Sequence, residues 1–104
     1  MYNEIKNATN TEREDNNMER KNFNLYHAML NYSEIIAMCI KESLEKSGAK
    51  VYTCDVFVGR ENDLTYECYI EFVHPNTGYK FIHGDYLTVE NINKRFRTNL
   101  KGVR

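Results

Sequence analysis

The sequence predicts an α+β domain of order α-β-β-β-α: a three-stranded antiparallel meander with a long N-terminal helix and a short C-terminal helix packed on one face. Three observations carry this expectation. Apolar residues recur at helical spacing between Asn22 and Gly48. Two period-two runs follow, each closed by a cluster of turn residues. An amphipathic segment behind a capping threonine then ends the chain.

Residues 1–21, MYNEIKNATNTEREDNNMERK, hold five acids and four bases and, apart from Tyr2 and Ile5, almost nothing to bury. They are expected to be a disordered or frayed polar tail, within which Met18 offers a second translation start. Residues 22–104 are expected to form a single small α+β domain with a basic C-terminal end. In its first helix, Tyr26, Leu30, Ala37, Ile40 and Leu44 mark a stripe that Met29, Ser33 and Ile36 widen. Asn22 or Asn24 supplies the cap and Gly48 the stop, which gives a helix of roughly 22–25 residues. Phe23, Tyr32, Ile35, Met38 and Cys39 carry apolar surface past one stripe. Residues 23–40 are therefore expected to meet a second copy of the chain in a homodimer.

The first strand sets Tyr52, Cys54, Val56 and Val58 against the core and Val51, Thr53, Asp55 and Phe57 on the outside. After the turn GREND, the second sets Leu64, Tyr66, Cys68, Ile70 and Phe72 inside and Thr65, Glu67, Tyr69, Glu71 and Val73 outside. Pairing Val58 with Leu64 brings Val56 to Tyr66, Cys54 to Cys68 and Tyr52 to Ile70. HPNTG turns the chain into a short third strand, YKFIH, with Phe81 opposite Phe72 and His83 opposite Ile70. Thr88 then caps a helix of about ten residues whose inner face is Val89, Ile92 and Phe96.

That register puts Cys39, Cys54, Cys68 and His83 on one side of the sheet, the donor set of a Cys₃His zinc site. Structural zinc ligands come in closely spaced pairs, whereas these four come from separate elements, so no metal and no cofactor is assigned. The three cysteines read as free thiols filling the core. The chain has no Gly-rich phosphate loop, nucleophile elbow or helical pair of histidines. Glu67 and Glu71 stand about 13–14 Å apart along their strand, too far for a glycosidase pair. No catalytic residue is assigned and no enzyme is expected. No apolar run reaches the ~18 residues of a membrane span, and the N-terminus lacks the apolar core of a signal peptide, so the expected location is cytoplasmic.

Charge is unevenly spread. Residues 51–74 carry Asp55, Glu61, Asp63, Glu67 and Glu71 against Arg60 alone. Residues 75–104 carry Lys80, Lys94, Arg95, Arg97, Lys101 and Arg104 against Asp85 and Glu90. In the expected register Asp55 faces Glu67 across the outer sheet surface, a like-charge pair that a solvated face does not need. The order α-β-β-β-α resembles the double-stranded-RNA-binding domain in topology. That family opens its second helix with lysines, where this chain has TVENINKRF, with Glu90 and no Lys in the first turn. The resemblance therefore brings no RNA-binding residues with it.

The expected function is a small, non-enzymatic protein-binding module. Its partner surface is Asp55, Phe57, Glu61, Asp63, Glu67, Tyr69 and Glu71, and its partner a basic protein surface or nucleoprotein of the host. Thirteen Asn and eight Tyr with no Trp fit an AT-rich coding sequence, as in a low-GC bacterium, its phage or a mobile element. An inhibitor of a host nucleic-acid-binding defence protein, in the anti-CRISPR manner, fits that setting. The alternative is a nucleic-acid-binding regulator using Lys94, Arg95, Arg97, Lys101 and Arg104.

Overall fold

The computed structural model describes the backbone of residues 10–103 and the side chains of residues 24–103. The elements follow the expected order: α1 (Asn10–Lys46), β1 (Lys50–Val58), β2 (Thr65–His74), β3 (Gly78–Thr88) and α2 (Val89–Phe96). The sheet is antiparallel in the order β1-β2-β3, and both helices pack on one face of it. Residues 1–9 of the expected tail lie outside the described residues.

α1 begins at Asn10, twelve residues before the expected cap, and runs for 37 residues. Its buried line is Met29, Ser33, Ile36, Ile40 and Leu44. Steps of four and three keep those residues on one side of the cylinder. Tyr26 and Leu30, expected on the stripe, flank it instead and are 38% and 39% exposed. Ser33 sits in the core because its hydroxyl donates back to the Leu30 carbonyl at 2.6 Å. The helix stops in a Schellman motif. The Ala49 amide donates to the Leu44 carbonyl (2.9 Å) and the Gly48 amide to that of Glu45 (3.0 Å), with Gly48 at φ +100°. Ala49 and Leu44, brought together by those bonds, are both buried.

The β1–β2 register differs from the expected one by two residues. Val58 pairs with Tyr66, Val56 with Cys68, and Cys54 with Ile70 rather than Cys68. The cause is the connection, which takes six residues because Leu64 enters the left-handed region at φ 54°. It closes onto Thr65: the Gly59 amide donates to the Thr65 carbonyl, the Thr65 amide to that of Arg60, and the Arg60 amide to Thr65 Oγ1. A two-residue slip preserves the faces, so Val56 and Cys68 stay inside. At the other end of β1 a bulge between Val51 and Thr53 turns Tyr52 outward, where it is 57% exposed, and Val51 takes the inward place.

β3 is eleven residues long, not the short YKFIH, and its parity is opposite to the expected one. Ile82 pairs with Ile70 and is buried; Phe81 lies opposite Glu71 and His83 opposite Tyr69, both on the outer face. A second bulge, at Gly84 (φ +75°), shifts the register between Cys68 and Tyr69. That extra residue lets Ile82 and Leu87, five apart, both reach the core. α2 is capped as expected, Thr88 Oγ1 accepting from the Asn91 amide at 3.2 Å. Ile92 and Phe96 are buried and Val89 packs beside them.

The segment after α2 is strapped back onto the domain. Asn93 Oδ1 accepts from the Leu100 amide (2.9 Å) and the Thr98 hydroxyl (2.7 Å), and Asn93 Nδ2 donates to the Leu100 carbonyl (2.9 Å). Tyr32 Oη accepts from the amides of Lys101 and Gly102, each at 3.0 Å.

Candidate functional site

Among the described residues, no helix packs on the outer face of the sheet, and the middle of that face is aromatic. Cross-strand rows place Asp55, Tyr69 and His83 side by side, and Phe57, Glu67 and Tyr86 in the next row. A third row is Thr53, Glu71 and Phe81. The like-charge pair expected between Asp55 and Glu67 does not form: Asp55 stands opposite Tyr69, and Phe57 opposite Glu67.

Ring contacts run continuously across the three strands. Phe57 meets Tyr69 edge-to-face at 5.8 Å, Tyr69 meets His83 at 5.0 Å, and Phe81 meets His83 at 5.3 Å. Tyr69 reaches over β3 beside Gly84, where a Cβ would lie in ordinary contact, 3.5 Å from Tyr69 Oη. Phe57, Phe81, Tyr79 and Tyr86 remain 42–57% exposed.

Two carboxylates are fixed to this scaffold. Tyr69 donates to Glu67 Oε2 at 2.6 Å, and Tyr79 to Glu71 Oε2 at 2.9 Å, while Thr53 Oγ1 lies 3.4 Å from Glu71 Oε1. Each bond raises the pKa of its phenol, since a carboxylate acceptor favours the neutral hydroxyl. Bases stand at the rim. Arg60 lies over the Tyr86 ring at 4.5 Å and bonds Asp63 at 3.1 Å, and Lys50 lies 5.5 Å from the Tyr52 ring centre.

Of the expected partner residues, the structure brings Asp55, Phe57, Glu67, Tyr69 and Glu71 onto one face. Glu61 and Asp63 lie in the β1–β2 connection, where Asp63 bonds the Arg60 that stands over Tyr86 at the rim. Tyr79, Phe81, His83 and Tyr86 complete the face, and the sequence reading missed them through the parity of β3. The available signal was Ile82: it is the one aliphatic residue in YKFIH, and placing it inside turns Tyr79, Phe81 and His83 out.

The four residues weighed as zinc donors do not meet. His83 is on the outer face, away from Cys54 and Cys68, and among the described residues no group of three or more His, Cys, Asp or Glu side chains is placed to hold a metal. The Cys54 thiol donates to the Ala37 carbonyl at 3.2 Å, and burial, with Asp55 nearby, pushes its pKa up to about 11. Burial, with Cys54 nearby, pushes Cys68 up to about 12. Thiols held this firmly protonated are poor nucleophiles.

The basic residues are divided. Lys94 and Arg95 are exposed in the last turn of α2, where cations also oppose the helix dipole. Arg95 Nη1 reaches Asp85 at 3.4 Å, and Arg97 caps the helix in the left-handed conformation. Lys101 lies on the C-terminal strap, sharing a cleft of about 280 Å³ with Asp63, Leu64 and Tyr66. Arg104 is outside the described residues. On α1, within residues 23–40, Ile35 and Met38 are 48% and 70% exposed, whereas Tyr32 and Cys39 are partly covered. No described helix is long and apolar enough to cross a membrane. No protein-family model, curated protein or solved structure matches the chain.

Proposed function

We propose that the chain is a non-enzymatic binding module that docks a basic segment of a partner protein on the outer face of its sheet. The observation that carries this reading is the ring chain Phe57–Tyr69–His83–Phe81, flanked by carboxylates that tyrosine hydroxyls hold in place. Aromatic faces attract guanidinium and ammonium groups, and a neighbouring carboxylate completes the pairing. An exposed aromatic patch of this kind also supplies the anchors on which interface energy concentrates. The same carboxylates repel phosphate, which favours a protein over a nucleic acid on this face. A partner that itself grips nucleic acid presents such a basic groove. The finer reading is therefore an inhibitor, encoded by a phage or mobile element, that covers the groove of a host defence protein.

The test is affinity capture from host lysate with the wild-type chain and with the double variant Glu67→Lys, Glu71→Lys, each checked for folding by circular dichroism. The expected outcome is a partner with a basic surface, held in a salt-sensitive complex by the wild type and lost from the variant. An identical partner set for both chains would sink the proposal.

A further inference from the structure

A second site lies on the helix-bearing side, away from the aromatic face. The C-terminal ends of α1 and α2 meet the β2–β3 turn there and enclose a cleft of about 490 Å³, within the range of small-ligand pockets. α2 and its C-cap contribute Arg95, Phe96 and Arg97, the end of β2 and the turn contribute His74, Asn76 and Thr77, and the end of α1 contributes Ser43, Leu44 and the following Ser47. Among the described residues, no carboxylate lines it.

Two backbone acceptors at the cleft are already occupied. The Phe96 carbonyl takes the Ser43 hydroxyl (2.6 Å), and the Leu44 carbonyl takes the Ser47 hydroxyl (2.7 Å) and the Ala49 amide (2.9 Å). Donors are not. Arg97 has no carboxylate partner among the described residues. Arg95 keeps most of its guanidinium fork open, since one nitrogen reaches Asp85 at 3.4 Å on an exposed surface. His74 Nδ1 accepts from the Asn76 amide at 3.0 Å, so the neutral ring carries its proton on Nε2, ready to donate. Arg97 also holds φ 57°, a conformation that glycine adopts freely and arginine does not. That conformation ends α2 as its C-cap.

We propose that this cleft is an anion site for a phosphate ester. Arg97 and Arg95 fork onto the non-bridging oxygens and His74 Nε2–H supplies a further donor, a geometry that planar guanidiniums match well. The phosphate can belong to a free nucleotide or to a nucleic-acid backbone.

Thermal-shift and calorimetric titrations of the full chain test this with three probes at matched ionic strength: inorganic phosphate, adenosine 5′-monophosphate and a short single-stranded oligonucleotide. Saturable stabilisation by at least one is expected. Similar binding of phosphate and the nucleotide assigns a free ligand, and binding of the oligonucleotide alone assigns a strand. Arg97→Gly relieves the backbone strain, so it is expected to fold at least as well as the wild type yet bind about ten- to a hundredfold more weakly. Arg95→Gln gives an independent loss without touching that conformation. No saturable response to any probe, or undiminished binding by both variants, overturns the assignment. Because the cleft and the sheet face are separate, either proposal can fail alone.

Discussion

At the residue scale, Cys54 and Cys68 have become stability elements rather than chemical ones. Both thiols are raised by burial, from a reference value of 9.0 to about 11 and about 12. In the unfolded chain they ionise near the reference value. Between that pH and the folded values the unfolded chain has lost protons the native chain still holds, so stability falls as pH rises. Their contribution is therefore fully present below pH 9.0 and is lost progressively towards about 12. Other groups titrate in the same range, so the useful quantity is a difference. Urea midpoints at about pH 8 and about pH 10 are expected to separate more for the wild type than for a Cys54→Ala, Cys68→Ala variant. Equal separations would mean that the buried thiols add nothing to the alkaline sensitivity.

At the element scale, two bulges decide which side chains face which way. β2 was legible from Tyr66 to Phe72, because Tyr66, Cys68, Ile70 and Phe72 alternate without interruption and all four are buried. It was not legible at its start, where Leu64 falls in the connection and Thr65, expected outside, is buried. β1 was legible from Cys54 to Val58 and misread at Tyr52, where the bulge adds a residue and reverses the alternation. β3 was misread throughout. Its alternation runs one way through Ile82 and the other through Leu87, and only an extra residue at Gly84 reconciles them. Sequence periodicity reports parity, not interruptions of parity, and that is why half of the aromatic face was missed. Gly84 is then the residue on which the β3 half of the face depends. An alanine there finds room, its Cβ 3.5 Å from Tyr69 Oη, but must hold φ +75°. Gly84→Ala is expected to cost about 1–2 kcal/mol in chemical denaturation, almost all from the backbone. A midpoint equal to that of the wild type would show that the bulge tolerates a side chain and does not depend on glycine.

At the scale of the whole molecule, helix and sheet are mismatched in length. The 37 residues of α1 span about 55 Å at the rise of an α-helix, and the 9–11 residues of each strand about 30–37 Å. The longest extent, 61 Å against 23 and 22 Å, follows from that excess. Among the side chains described on this helix, burial runs from Met29 to Leu44. The sequence agrees: from Thr11 to Lys21 Met18 is the only apolar residue. A helix already nucleated on the sheet extends at little cost into a polar sequence of that kind. A chain starting at Asn22 is therefore expected to lose part of its far-UV helical signal yet to unfold within ~0.5 kcal/mol of the full chain. It is also expected to keep both the aromatic face and the cationic cleft, neither of which uses a residue before Ser43. A much lower unfolding midpoint for the shortened chain would instead make the first turns of α1 part of the folding unit.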